Sequence, residues 1–571
     1  MWLKIILNVV VLFGAALGNE QNSSPVTVNI EGLGRVSGSV NHTSWTKQPV
    51  FKFQGIHYGV AAVGSLRFQP TVKVGPWDGV KNATEPGVRC PQITDDYVNV
   101  DNEDCLTLSV FTKNFNAARP LMVYIHGGWF YTGGADEFQP EYLLESDVVL
   151  VTIQYRLGPL GFLSTLTEDI PGNVGMLDVI TALEWVQQNI GSFGGNKSMV
   201  TIFGQSAGSS SVSTMLHSPL VSNREVPLFH RAILQSGSLL VPRHVADDPV
   251  EGAKDIAKRL GCNESRIETC FRKAPTKDLL EAFLEHRAEA IRSRGFSSVA
   301  AANLVIGGPT GLFPCHPKYY MRNARKGIQV MGGTVSEDGV YLLEEVNRFQ
   351  PDLPKSLNST EQVLDYIRNL YVKFGQTRLD GVLEAYAMNI HFRAQDFVEL
   401  RWEDLVTSFI DICASHGVKG PLVTEMDFIS RANPGNVYLY SFDYSGSQEQ
   451  ETSRPLFPYK GGVFHTDELN YLFPMRRQMT ADDVAMAKTM VELWTSFATD
   501  GVPRAQNVPS WNPMGNFSGF PLEGTGYLLR TYGPYLKIDS TAGQAYNFRE
   551  EFLATTRKYR SSPTMLFNGF Q

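Results

Sequence analysis

MVTIFGQSAGSSSVSTML, residues 199–216, is the stretch whose parsing decides the fold. Residues 200–203 are β-branched and aromatic, the composition of a buried strand. Gly204-Gln205-Ser206-Ala207-Gly208 follows, and residues 209–216 run on as a helix with small side chains on its first turns. Strand, glycine-flanked turn and helix in succession are the setting of a nucleophile elbow, where two glycines permit a turn tight enough to hold the Ser206 hydroxyl clear of the sheet. The backbone N–H of Ala207, at the helix N-terminus, then faces any oxyanion formed there. Chance alone supplies on the order of 0.3 such pentapeptides to a chain of this length and glycine content. The surroundings of the motif therefore carry the decision.

Immediately upstream, residues 176–190 have helical spacing, with Leu177, Ile180, Leu183, Trp185 and Val186 apolar. Before that helix, residues 148–155 form a continuous apolar run, as in a strand covered on both faces. Residues 121–125 are another such strand and lead straight into His126-Gly127-Gly128-Trp129-Phe130. Downstream, residues 232–235, 328–332 and 436–444 read as strands, the last of these as the final strand of the sheet. Alternating strands and helices predict an α/β class with a large, mixed, mostly parallel sheet and crossover helices. Residues 26–40 and 50–58 read as an N-terminal β-meander, and 106–111 as a further strand. Residues 249–294 have a charged helical pattern, an outer insertion expected to shape the entrance. Residues 358–411 read as mostly helical and 485–499 as a long amphipathic helix. An Arg67–Glu103 ion pair is expected as a buried structural link.

The chain of 571 residues is 43% hydrophobic, enough to bury a large core. A net charge of −8 without a basic cluster argues against a nucleic-acid partner. Residues 1–18, MWLKIILNVVVLFGAALG, have one early lysine, an apolar run and small residues at the cleavage positions, the pattern of a secretory signal peptide. No later run is long and apolar enough for a membrane span. The expected organisation is a signal peptide at 1–18 and a single domain over 19–571, secreted to the extracellular side. Cys90 with Cys105, and Cys262 with Cys270, can each close a small loop in an oxidising compartment. Cys315 and Cys413 are left unassigned. Asn22, Asn41, Asn82, Asn263, Asn358 and Asn516 stand in Asn-x-Ser/Thr acceptor sites, as does Asn196, which lies close before the elbow strand. No Cys/His set has zinc spacing and no loop has a dinucleotide or phosphate pattern, so neither metal nor cofactor is expected.

A serine hydroxyl becomes a nucleophile when a base removes its proton, and the imidazole base needs an acid to fix its tautomer. In α/β-hydrolases these arrive in the chain order serine, acid, histidine, each after a strand. Ser206, Asp338 and His465 have that order here. The glycine loop after residues 121–125 offers the N–H groups of Gly128 and Trp129, which with that of Ala207 form the candidate oxyanion hole.

With these landmarks the chain resembles the type-B carboxylesterase/cholinesterase family over nearly all of residues 26–548. The matching residues are Leu66-Arg67-Phe68, Glu103-Asp104-Cys105-Leu106, the His126 glycine loop, Gln154-Tyr155-Arg156-Leu157-Gly158, Gly172-Asn173-Val174-Gly175, residues 203–208 and 232–237, the acid before Gly339, residues 462–468, and Trp494-Thr495-Ser496-Phe497-Ala498. The resemblance implies an α/β-hydrolase fold, Cys90–Cys105 and Cys262–Cys270 disulfides, Ser206 as nucleophile, the acid before Gly339, His465 as base, and Ser236 as a serine supporting the triad. The family's usual acid is Glu. Asp338 stands in its place, with Glu337 one residue earlier as the alternative. The loop from Cys90 to Cys105 has no Trp, and Gln205 replaces the Glu of cholinesterases, so a quaternary-ammonium site is not expected. Trp129 replaces the usual Gly or Ala. Gln205-Ser206 is similar to the elbow of insect juvenile hormone esterases, although Val179 after Asp178 departs from their usual Gln. The resulting expectation is a secreted serine esterase acting on a small hydrophobic ester through an acyl-enzyme. The alternative is a catalytically silent adhesion or ligand-binding protein on the same fold.

Overall fold

The computed structural model describes residues 26–94, 97–241, 244–246, 248–294, 303–319, 321, 325–340, 362, 414–446, 462–475, 478–514 and 534–547. Its frame is a mixed 13-stranded sheet. Seven strands run parallel through the middle, in the spatial order Val149–Ile153, Arg119–Ile125, Gly195–Gln205, Arg231–Gln235, Gln329–Val335, Val437–Phe442 and Pro534–Ile538. Antiparallel strands extend it on both sides: Val26–Ile30, Gly34–His42, Pro49–His57 and Thr107–Thr112 on one, Gln544–Asn547 on the other.

The continuous apolar runs have a direct cause. Alternate side chains of a strand point to opposite faces, and here both faces are covered. Leu121, Val123, Ile125, Val149, Val151, Val200 and Ile202 join one core cluster, with the helices Val174–Asn189, Ala207–His217 and Gly420–Ala432 packed over it. Met122, Tyr124, Leu150 and Phe203 join the other, beneath Ala481–Asp500. Fully burying one such side chain stabilises the fold by about 1.5–3 kcal/mol, so a polar replacement on either face is destabilising.

Register places the functional loops together. Gly204 lies opposite Ile125, Gln205 opposite Gln235, and Gln235 opposite Gly333. The loops beginning at His126, Ser206, Ser236 and Ser336 therefore leave the sheet along one carboxyl edge, where open α/β sheets bind ligands.

Val437–Phe442 is not the final strand of the sheet. Pro534–Ile538 pairs beside it and turns through Gly543 into Gln544–Asn547. These short segments carry Pro534, Lys537 and Gln544 among their few residues, so neither shows the apolar run of a buried strand. The late helix starts before residue 485, at Ala481, because Thr480 and Asp483 form a reciprocal capping box. The helices of the insertion, Pro249–Arg259, Ile267–Lys273 and Thr276–Arg294, bury Ile256, Phe271 and Phe283 against Phe68, Leu160 and Leu163.

Cys90 is bonded to Cys105 and Cys262 to Cys270, while Cys315 is a free, exposed thiol. Arg67 pairs with Glu103, and its guanidinium also donates to Ala274 O at 2.5 Å and to the Thr276 hydroxyl at 2.9 Å. That pair ties the first disulfide loop to the insertion. Asn41, Asn82 and Asn263 are exposed, and Asn196 is half-buried. Residues 1–18, Cys413, the acceptor sites at Asn22, Asn358 and Asn516, and the stretch 358–411 apart from Gln362 lie outside the described residues. Among the described residues no helix is long and apolar enough to cross a membrane.

Candidate active site

Ser206 stands between the strand Gly195–Gln205 and the helix Ala207–His217 with φ 58° and ψ −125°. A backbone in that region costs a non-glycine residue on the order of 1–3 kcal/mol and persists only where its surroundings impose it. Here the Ser206 N–H donates to Gln235 O at 2.9 Å and the Ser206 carbonyl accepts from Ser210 N at 3.0 Å. A Cβ at Gly204 would lie 2.6 Å from Ile125 O and from the carbonyl carbon of Gly208, and one at Gly208 would lie 2.0 Å from Ile125 O. Both glycines are thus demanded by close approach to the neighbouring strand. The serine-rich helix is fully buried, which small residues allow, and its hydroxyls find acceptors: Ser209 on Gly237 O, Ser210 on Ser238 O, Ser211 on Ala207 O.

His465 and Asp338 come from loops far apart in the chain and meet at 2.5 Å, Nδ1 to Oδ1. The Glu337 N–H donates to Val463 O at 3.0 Å, drawing the acid's loop onto that of the histidine and letting the shorter aspartate reach. Asp338 is fully buried and the His465 side chain is 14% exposed. A carboxylate only accepts, so Nδ1 carries the ring proton and Nε2 keeps its lone pair in the neutral imidazole. Gln205, the residue before the serine, places its side-chain amide nitrogen 3.1 Å from that Nε2.

Beneath this pair lies a polar layer whose residues fall within the family landmarks, although the sequence does not show that they meet. Gln235 donates to Glu468 Oε1 at 3.3 Å and accepts from the Trp494 indole at 3.2 Å. Burial, with the nearby Asp338 charge, pushes the Glu468 carboxyl up to about 8, so it is neutral at pH 7. Among the described residues Asp338 Oδ2, Glu468 Oε2 and Ser236 Oγ are buried without a hydrogen-bond partner. Ser236 itself is held at φ 51° with its N–H on Gly333 O at 2.9 Å.

The glycine loop lies directly on the elbow. A Cβ at Gly127 would sit 2.7 Å from Gln205 O and 3.2 Å from Ser206 Cβ. Gly128, Trp129 and Phe130 have φ of 104°, 58° and 64°, and the Tyr131 and Thr132 N–H groups both return to Gly128 O, at 3.0 and 2.9 Å. His126 anchors the start of the loop: it stacks on Tyr155 at 4.6 Å, and the Tyr155 hydroxyl donates to its carbonyl at 2.9 Å. Burial lowers the His126 pKa to about 4, so it stays neutral. On the far side Tyr131 meets Phe283 edge-on at 5.9 Å and lies under Arg287 at 4.8 Å. The insertion therefore braces the loop that carries Trp129.

Sheet, elbow and the paired His465 and Asp338 have the arrangement of an α/β-hydrolase. The model of the carboxylesterase family matches residues 24–527, and the chain belongs to that family. It is 32% identical to esterase FE4 of Myzus persicae, over 89% of this chain and 90% of that one, and 30% identical to juvenile hormone esterase of Tribolium castaneum, over 84% of each. Glutactin of Drosophila melanogaster is 29% identical over 89% of this chain, which spans only 49% of glutactin's length.

Proposed function

We propose that the protein is a secreted serine hydrolase of small hydrophobic carboxylic esters. Ser206 attacks the ester carbonyl, with His465 Nε2 taking the hydroxyl proton and passing it to the departing alcohol. Asp338 holds the proton on Nδ1 and stabilises the imidazolium formed in between. The N–H groups of Gly128, Trp129 and Ala207 receive the oxyanion, each donor lowering the barrier by roughly 2.7–4 kcal/mol. Water then enters with His465 as base and releases the acid.

The observation that carries this reading is the 2.5 Å contact between His465 and a fully buried Asp338, with His465 Nε2 3.1 Å from Gln205, the residue that precedes Ser206 in its strained elbow turn. The neutral Gln205 beside the base supports an uncharged ester over a cationic one. Two disulfides and exposed acceptor asparagines at 41, 82 and 263 support export. A silent adhesion or ligand-binding role is not favoured, since all three triad positions carry competent groups. The test is Ser206→Ala, compared with the unaltered protein against aryl esters and an organophosphate label. Loss of both turnover and labelling in a folded variant is expected. A variant that keeps unaltered turnover would remove Ser206 from the mechanism.

A further inference from the structure

The amide of Gln205 approaches the one nitrogen of His465 that must accept the serine proton, at 3.1 Å. The Gln205 residue is 2% exposed. Its backbone is set by the register with Gln235, and its Oε1 lies 3.4 Å from where a Gly127 Cβ would stand. The side chain is thus wedged between the glycine loop and the imidazole. Because Nδ1 donates to Asp338, Nε2 offers a lone pair, and the half of the amide that complements it is the N–H.

We propose that Gln205 is a positioning residue for the His465 base, its amide N–H held on Nε2 of the resting, neutral imidazole. A donor on the lone pair stabilises the neutral ring relative to imidazolium, because the protonated ring would set two N–H groups against each other. Gln205 therefore keeps the base unprotonated toward lower pH and fixes the plane of the ring. It yields its place when the Ser206 hydroxyl moves in, its N–H leaving Nε2 free to accept the serine proton. The inference rests on the catalytic reading above and assigns to Gln205 a role distinct from that of a carboxylate at the same position.

Asp338 contacts the His465 ring and Glu337 precedes it in the same loop, Asp467 and Glu468 belong to the histidine's own loop, Tyr440 lies on the strand Val437–Phe442, and His126 begins the glycine loop. Burial pushes Glu468 up to about 8, lowers His126 to about 4 and raises Tyr440 well above its ordinary value.

The experiment measures kcat/KM for a p-nitrophenyl ester from pH 4.5 to 9 in the unaltered protein, Gln205→Glu and Gln205→Met. Active sites are counted by organophosphate labelling, and folding is checked by thermal midpoint. The acid limb is expected to move up by about one unit or more in Gln205→Glu, where a carboxylate faces the imidazolium. In Gln205→Met, which only removes the donor, it moves up by about half a unit. A purely structural role lowers the rate without moving the limb, so two labelled variants whose limbs coincide with the unaltered one overturn the proposal. A shift confined to Gln205→Glu overturns it too, since charge proximity alone explains that result. If the unaltered protein does not label, the catalytic reading falls first and takes this inference with it.

Discussion

Replacing Asp338 by Asn tests the acid–base pair where its geometry is tightest. The carboxylate Oδ1 accepts from His465 Nδ1 at 2.5 Å, and Oδ2 is buried without a hydrogen-bond partner among the described residues. An asparagine must put its NH2 in one of these two places. At the Oδ2 position the NH2 lacks an acceptor there, a cost of about 1–3 kcal/mol. Facing Nδ1 it donates to the ring and forces the proton onto Nε2, the nitrogen that has to accept from Ser206. The second arrangement is therefore favoured, and the competent tautomer falls by roughly one to two orders of magnitude. Loss of the negative charge opposite the imidazolium adds to this. The total expected is about 10⁴ in kcat, the value for the same change in a Ser-His-Asp triad, or about 5 kcal/mol of barrier. The assay is kcat on p-nitrophenyl butyrate per organophosphate-titrated site, with Glu337→Gln as the parallel variant, expected to stay within about threefold of the unaltered protein. A loss below tenfold in Asp338→Asn, or a large loss only in Glu337→Gln, refutes the assignment of Asp338.

Three further outcomes follow from the geometry. Gly208→Ala drives a Cβ to 2.0 Å from Ile125 O, and since backbone has to move, a destabilisation of roughly 3 kcal/mol or more is expected in urea unfolding. An unchanged midpoint would mean the elbow packs less tightly than described. Trp129→Gly relieves a residue at φ 58° and removes an indole from the glycine loop, so kcat/KM for a bulky ester should rise relative to a short one while the thermal midpoint holds. An unchanged ratio places Trp129 away from the substrate. Glu468→Gln bears on pH dependence: the folded pKa of about 8 lies above the unfolded value of about 4.3. The native state binds the extra proton between these values, so Glu468 makes stability fall as pH rises from about 4.3 to about 8. The Gln variant should show a flatter unfolding profile over that window, and a profile as steep as the unaltered one would assign the slope to other groups.

How much of this was legible beforehand depends on the range of each interaction. The elbow is written locally: a β-branched strand, two glycines and a run of small residues occur within a few turns of chain, and so did the strands at 121–125 and 148–155, whose apolar runs are long. The short final strands Pro534–Ile538 and Gln544–Asn547 were not legible, because their pairing partners supply the stability that their own residues lack. Asp338 and His465 could be ordered along the chain but not brought together. Their meeting depends on sheet register and on loop contacts such as the backbone bond from Glu337 to Val463. The contact of Gln205 with Nε2 and the protonated state of Glu468 belong wholly to the tertiary structure. A hydrogen bond across 260 residues of chain leaves no periodic trace, and a carboxyl's charge is set by the burial and neighbours it acquires only on folding.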